Sequence, residues 1–239
     1  MKIAALCCTY LRPRQLGFLL RCFELQDYAD RELIILDDAG QYGNLQGDRW
    51  TLVSLSRRFC TLGEKRNAIA ALASPDVEAF AVWDDDDLYL PWALSASAAA
   101  LQNAAWSRPS IVLHPTPDGT LKQHETRGLF HGGWAYRRDT FEAAGRYPAM
   151  SNGEDMALMR RMSAIGAAEA DPIGLGFAPF YIYLWGNTSG ARHLSGMGAD
   201  GYRKLATQDV PEATLVAGNP PQCDLRNPVI LPGVQPRRF

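Results

Sequence analysis

Residues 82–91 read VWDDDDLYLP, four consecutive aspartates set directly behind the apolar run EAFAVW (78–83). Two carboxylates about 6 Å apart repel by roughly 3 kcal/mol at an effective dielectric of about 20, so a folded chain keeps such a stretch only where something offsets the repulsion. Extended as a strand, the run alternates faces, with Asp84 and Asp86 pointing one way and Asp85 and Asp87 the other. A divalent cation converts the repulsion into attraction, because hard ions such as Mg2+ and Mn2+ prefer oxygen ligands. Magnesium is typically held by only one or two carboxylates, with phosphate oxygens completing its shell. The stretch therefore reads as a seat for a metal bound to a diphosphate. The plainer alternative is a solvated acidic turn capping a helix that begins near Trp92, and it suits Asp87 best because Asp87 lies closest to that start. A calcium loop of the EF-hand kind is disfavoured, since its sixth and twelfth positions are Tyr89 and Ser95, where glycine and glutamate are needed.

Upstream of the acidic run, apolar stretches and helical patterns alternate. Ile3 to Cys8 is a continuous apolar run, as expected of a strand buried on both faces. After Pro13, Leu16, Leu19, Leu20 and Phe23 follow helical spacing. ELIILDD carries a second buried strand over Leu33 to Leu36, and WTLVSL (50–55) a third. LGEKRNAIAALA (62–73) predicts a helix opening near Gly63 with Ile69 and Leu72 facing inward, and EAFAVW the next strand. This rhythm predicts an α/β fold: a doubly wound, mostly parallel sheet flanked by helices, in a single domain. Such sheets bind ligands at the carboxyl ends of their strands. Three polar clusters fall there, Thr9/Tyr10/Arg12, Asp37/Asp38 and Asp84 to Asp87, and they are expected to converge.

Beyond Trp106 the pattern loosens. SIVLHP (110–115) is a short strand, and GWAYRRDTFEAAGRYP (133–148) a strand followed by a short helix. SNGEDMALMRRMSAIG (151–166) is a clear helix, with Ser151 and Glu154 fitting a capping box and Gly166 a stop. FYIYLWG (180–186) is a last strand leading into the loop NTSGARHLSGMG (187–198). From Pro211 onward prolines are frequent and periodicity is weak, which predicts a tail that is either extended along the domain or partly disordered.

At 239 residues the chain suffices for one large domain or two small ones, and 47% apolar residues fit a globular protein. With 24 basic and 26 acidic residues, net −2, there is no broad basic field, which argues against nucleic acid as the main partner. The five cysteines (Cys7, Cys8, Cys22, Cys60, Cys223) lack CxxC or zinc-type spacing, so reduced, mostly buried thiols and a cytoplasmic setting are expected. The apolar stretch in MKIAALCCTYLRPR is too short for a signal peptide and has no cleavage site. No run approaches the roughly 18 apolar residues of a membrane helix, so any membrane contact is expected to be peripheral.

Taken together, VWDDDDLYLP, CCTYLRPRQLGFLLRCF, LIILDDAG, GEKRNAIA and YRRDTFEAAGRYPAMSNGEDMALMRRM resemble the family-2 glycosyltransferases of the GT-A fold, over about Lys2 to Gly198. No single piece is specific; their order and spacing are. The chain departs from the family pattern at the bulky Trp83 and at AGQYG (39–43), where Gly-Ser is commoner. The resemblance implies a Rossmann-like GT-A domain over residues 1–205, with a nucleotide-binding half over about 1–105, an acceptor-binding half over about 106–205, and a Pro-rich tail over 206–239. It implies nucleotide binding by Thr9, Tyr10, Arg12, Asp37, Asp38, Arg66, Asp84 and Asp85. Thr9 and Arg12 are to lie beside the nucleotide, Asp38 to hydrogen-bond the base, and Arg66, or Lys65 in its place, to sit near the nucleotide or its phosphates. Asp84 and Asp86 form the implied metal motif, with Asp86 the direct ligand and Asp84 nearer the ribose or sugar. His193 falls in a region that in some relatives contacts diphosphate or metal. Asp155 is the implied general base.

The position of Asp155 suits that role. A carboxylate in the first turn of a helix is stabilised in its ionised form by about 0.3–1 kcal/mol, and an ionised carboxylate accepts the proton of an attacking hydroxyl. Acidic residues also occur at helix starts for stability alone, Lys65 and Arg66 also fit a solvated helix face, and His193 also fits a surface loop. His114, His124 and His131 have no spacing for joint metal binding. Trp134 and the glycines of HGGWAY (131–136) suit an acceptor-facing wall, and core packing suits Trp134 equally. The expected function is metal-dependent, inverting transfer of a sugar from a nucleotide-diphosphate donor, with uridine as the expected base and Mn2+ or Mg2+ as the cation, to a carbohydrate or other hydroxyl acceptor. Two rivals share features of this reading. A sugar-phosphate nucleotidyltransferase usually has a glycine-rich loop after its first strand, which CCTYLRPRQ lacks. A non-catalytic nucleotide-sugar or carbohydrate-binding module keeps the fold without the chemistry.

Overall fold

The computed structural model describes residues 1–116 and 119–184; His193 and the Pro-rich tail lie outside them. In chain order the first half contains β1 (Lys2–Thr9), α1 (Pro13–Glu24), β2 (Arg31–Asp37), β3 (Leu45–Gly47), β4 (Trp50–Ser54), α2 (Leu62–Ala71), β5 (Val77–Val82), β6 (Leu88–Tyr89) and α3 (Ala93–Ala100). The second half adds β7 (Trp106–Ser107), β8 (Ile111–Pro115), β9 (Leu121–Glu125), a 3-10 turn (His131–Gly133), β10 (Ala135–Arg137), α4 (Arg138–Ala143), α5 (Glu154–Ala164), β11 (Glu169–Ala170) and β12 (Tyr181–Ile182).

The apolar runs form strands because both of their faces are covered. In β1, Ile3, Ala5 and Cys7 enter one core while Ala4 and Leu6 enter the other. β2 divides in the same way, Leu33 and Ile35 against Ile34 and Leu36, and so does β5, Ala79 and Ala81 against Phe80 and Val82. Leu16, Leu19, Leu20 and Phe23 of α1 and the alanines of α3 close the first core, joined by Val112, Leu113 and Tyr181 of a smaller sheet. Ile69 of α2, Phe141 of α4, and Leu158 and Met162 of α5 close the second. Burying each large aliphatic side chain contributes about 1.5–3 kcal/mol.

The main sheet runs β11-β7-β10-β5-β1-β2-β4-β3, and its central strands β5, β1, β2 and β4 are parallel. The chain adds β2 on one side of β1 and β5 on the other. The order therefore reverses at β1, and a crevice opens at the carboxyl ends of β1 and β5. The smaller sheet runs β6-β12-β8-β9. Its strands β8 and β12 lie within stretches expected to be strands, SIVLHP and FYIYLWG, whereas β6, β9 and the antiparallel edge strand β3 were not legible in the sequence.

Three local expectations need correction. The acidic run is a turn, so strand alternation does not govern where its side chains point. Leu72 is 46% exposed, because it is the C-cap of α2 and lies past its inward-facing side. α5 has no capping box: its N-cap is Gly153, and the Ser151 hydroxyl accepts from Leu62 N at the start of α2. α2 carries the box instead, with Thr61 Oγ1 accepting from Glu64 N and Glu64 Oε2 accepting from Thr61 N. The stop at Gly166 is as expected. Its φ of +71° suits glycine, and Gly166 N and Ala167 N donate to the carbonyls of Ser163 and Met162 to close α5.

Candidate functional site at the carboxyl edge of the sheet

The acidic turn between β5 and β6 is pinned from beneath. Trp83 is buried and stacks on Tyr89 at 3.8 Å, and the Tyr89 hydroxyl accepts from Asp84 N at 2.8 Å. Asp87 does not cap α3. It is buried and accepts from the Tyr181 hydroxyl and from Leu184 N, which ties the turn to the smaller sheet. Burial, followed by the charges of Asp86 and Asp84, raises the Asp87 carboxyl well above the ordinary range. Gly132 backs the turn at a distance no side chain tolerates: a Cβ there would lie 2.5 Å from the Tyr181 hydroxyl and 3.0 Å from Asp84 Oδ2.

Cations reach the turn from two helices. Arg12, the N-cap of α1, gives that helix no side-chain cap; its Nη1 donates to Asp85 Oδ1 and Asp86 Oδ2, both at 2.7 Å. Leu11, in the left-handed region at φ 55°, turns the chain ahead of it. Thr9 Oγ1 donates to Asp85 Oδ2 at 2.6 Å. Burial pushes the Asp85 carboxyl up to about 6 against the pull of Arg12, with Asp86 adding to the rise and Thr9 opposing it. Burial also works against the charge of Arg12, but Asp85 and Asp86 overcome it and hold its pKa above the ordinary value.

α2 supplies the second set from its first turns. Lys65 is buried, and its Nζ donates to the Thr9 carbonyl at 2.6 Å and to Asp38 Oδ1. Asp38 Oδ2 accepts from Phe59 N, so this carboxylate is held within the protein. Asp37 turns into its own loop, accepting from Ala39 N, Gln41 N and the Ser54 hydroxyl. Tyr10 lies at the exposed mouth with the Arg58 guanidinium 3.7 Å from its ring centroid.

Arg66 is not a solvated helix residue. It lies 3.6 Å from Asp84 Oδ1 and 3.4 Å from Glu154 Oε1, over the ring of Tyr147. Burial opposes its charge, and Asp84 is the strongest of the groups that restore it. Burial raises the Glu154 carboxyl against the pull of Arg66. Glu154 thus ties the start of α5 to the acidic turn through Arg66. Asp155 is the next residue, half-buried, with its Oδ1 accepting from its neighbour Met156 N. Behind Arg66, the Tyr147 hydroxyl bonds Tyr136 and His131 Nε2, and burial, then Arg66, keep His131 well below its ordinary pKa. Trp134 is buried against Trp106 and forms core rather than an acceptor wall. His114 and His124 pair edge to face at 4.7 Å on the smaller sheet, apart from the buried His131.

Sequence reasoning missed the Lys65–Asp38 pair and the role of Glu154. The one available signal was the Thr61-x-x-Glu64 pattern, which fixes where α2 starts and hence which way Lys65 and Arg66 face.

Among the described residues no three metal-binding side chains converge. A cation here is therefore limited to one or two carboxylates, which is the mode magnesium and manganese use when phosphate oxygens complete the shell. The donors are hard oxygens, and the point where Asp85 and Asp86 meet already holds a cationic nitrogen, Arg12 Nη1. By donor chemistry and by this stand-in charge, the acidic turn fits a divalent cation. Among the described residues no helix is long and apolar enough to cross a membrane.

No family model and no curated protein matches this chain. Solved structures do. The chain is similar to S. aureus TarS 1–349, with 16% identity and a TM-score of 0.57 over 76% of this chain and 60% of that one. The complex of TarS 1–349 with UDP-GlcNAc matches with 15% identity and a TM-score of 0.52, over 77% and 58%. The mannosyltransferase PcManGT from Pyrobaculum calidifontis, in complex with GDP-Man and Mn2+, matches with 16% identity and a TM-score of 0.53, over 72% and 54%. The chain thus spans less than two thirds of each of these structures. At such identity the likeness shows the fold, which is that of the GT-A glycosyltransferases.

Proposed function

We propose that this chain is a metal-dependent inverting glycosyltransferase that moves a sugar from a uridine diphosphate donor to a hydroxyl of a carbohydrate or other acceptor. One observation carries this reading: the acidic turn meets cations from α1 and α2 at the carboxyl edge of the parallel strands. A metal–diphosphate needs both kinds of group, carboxylates for the cation and guanidinium donors for the phosphate oxygens. The fold is one that TarS presents in complex with UDP-GlcNAc. In this reading residues up to about 105 hold the nucleotide, and those from about 106 onward face the acceptor.

Asp155 takes the proton from the acceptor hydroxyl as its oxygen attacks the anomeric carbon. The bond from that carbon to the diphosphate breaks on the opposite face, and the diphosphate leaves with the electron pair. Arg66, anchored by Glu154, keeps the base-bearing helix in register with the turn, and such positioning is a large part of the rate. A divalent cation held by Asp84 and Asp86 supplies Lewis-acid stabilisation of the charge on the departing diphosphate.

The test is a thermal-shift screen of UDP, GDP and ADP with and without Mn2+, followed by transfer from labelled donors. UDP is expected to stabilise the protein chiefly when Mn2+ is present. Asp155→Asn is expected to lose about 10²–10⁴ of transfer rate while calorimetric UDP affinity stays near wild type. Retained turnover removes Asp155 from the base role. Tight nucleotide binding with no transfer across the donor panel replaces the enzyme with a binding module.

A further inference from the structure

Arg12 occupies the place where two carboxylates of the acidic turn converge. One of its nitrogens, Nη1, is 2.7 Å from an oxygen of Asp85 and 2.7 Å from an oxygen of Asp86. Asp85 also accepts from Thr9 Oγ1, on its other oxygen. The guanidinium is not locked in from all sides, since a fifth of the side chain remains exposed. It projects from the N-cap residue of α1, just after the exposed, left-handed Leu11.

We propose that Arg12 is an internal counter-cation that exchanges partners when the site loads: a divalent cation and the guanidinium compete for Asp86, and the displaced guanidinium pairs with the diphosphate. This rests on the reading of the turn as a metal–diphosphate site. A cation arriving alone must break a charge-assisted pair between groups already largely out of water, so it binds weakly. A diphosphate arriving with it gives the guanidinium oxygens to which two of its N–H groups can bond at once. Cation and diphosphate therefore strengthen each other's binding, and by linkage the enhancement is the same whichever binds first. Asp85 keeps its bond from Thr9 throughout, so the turn does not lose its shape during the exchange.

The experiment is calorimetry on the full chain with MnCl2 alone, UDP alone, and MnCl2 in saturating UDP, for wild type, Arg12→Gln and Arg12→Lys, each checked for folding by circular dichroism. Arg12→Gln is expected to bind Mn2+ alone at least about fivefold tighter than wild type, and the mutual enhancement of Mn2+ and UDP to shrink by at least about fivefold, the low end of usual coupling factors. Arg12→Lys keeps the charge without the planar fork, so it is expected to fall between the two on both measures. Equal or weaker Mn2+ binding by Arg12→Gln overturns the exchange. So does tighter Mn2+ binding with the enhancement intact, which is the mark of a general field effect. If Arg12→Gln does not fold, Arg12→Lys decides by the same two measures, and wild-type values for both overturn the proposal. Wild-type protein that binds Mn2+ and UDP cooperatively while neither variant differs sinks this inference alone. Wild-type protein that binds neither sinks the functional reading and this inference with it.

Discussion

Replacing Thr9 with valine tests whether the floor of the acidic turn is held as described. The change preserves shape and deletes one group, the hydroxyl that donates to Asp85 Oδ2 at 2.6 Å in a buried setting. A hydrogen bond to a charged group contributes about 1.5–3 kcal/mol and a neutral one about 1 kcal/mol. The loss therefore depends on the charge of Asp85, which burial lifts from an ordinary 3.8 to about 6. Because the folded value is the raised one, the contribution of Asp85 to stability is fully present below about 3.8 and is lost as pH rises through about 6. The Thr9 bond opposes that loss, since it favours the ionised carboxylate. Thr9→Val is thus expected to cost about 1 kcal/mol near pH 4 and about 2–3 kcal/mol at pH 8. For a domain of this size the latter corresponds to a Tm lower by roughly 4–12 °C. The assay is urea unfolding followed by circular dichroism, in EDTA, across pH 4 to 8, with Thr9→Ser as the variant that keeps the hydroxyl. A cost that does not change with pH, or a serine variant as unstable as the valine one, would refute the reasoning.

Two further outcomes follow from the same geometry. Gly132→Ala places a methyl group against the Tyr181 hydroxyl and Asp84, so it is expected to destabilise by about 1–3 kcal/mol and to reduce the thermal shift given by UDP with Mn2+; a urea midpoint equal to wild type contradicts the close approach. Burial, then His124, lowers His114 to about 4 from 6.5, and its ring packs edge to face against His124, Phe130 and Tyr183. A buried histidine favoured as neutral contributes stability that is present above about 6.5 and is lost as pH falls through about 4. Wild type is therefore expected to lose about 3 kcal/mol more than His114→Phe between pH 7 and pH 4. Parallel stability profiles for the two proteins rule this out.

The sequence exposed what short-range physics determines and hid what long-range contact determines. β1, β2 and β5 were readable because a strand covered on both faces is largely apolar, and that shows as a nearly continuous run. β6 was not, because it is two residues long and forms by pairing Leu88 and Tyr89 with Ile182 and Tyr181 of β12, from the far end of the described chain. The same division holds in the site. Adjacent carboxylates announce themselves, but their counter-charges lie far away in sequence: Arg12 is 73 residues from Asp85, and Lys65 is 27 from Asp38. Nothing in local spacing shows such a pairing. Glu154 was misassigned for the same reason. Its position three residues after Ser151 fits a cap, and only the fold reveals Arg66 beside it and draws Ser151 to Leu62 instead.

How the chain tolerates four aspartates at the end of β5 follows from its topology. In a parallel sheet with helical crossovers, a helix that follows a strand begins at that strand's carboxyl end. α1 starts beside the end of β1, and α2 starts with Thr61 on the same edge. Each brings the positive end of its dipole to that edge, equivalent to about half an elementary charge before screening. Arg12 is the N-cap of α1, and Lys65 and Arg66 sit in the opening turns of α2, so the formal cations arrive by the same route as the dipoles. α5 reaches Arg66 from its own N-terminus through Glu154. The edge is consequently built from both signs of charge, interleaved within a few ångströms. A bare anion meets the carboxylates and a bare cation meets the guanidinium groups, so neither alone is complementary to it. A ligand that carries a cation on its anionic oxygens satisfies both, and it is this mixed chemistry of the edge, rather than any one aspartate, on which the proposal of a metal–diphosphate rests.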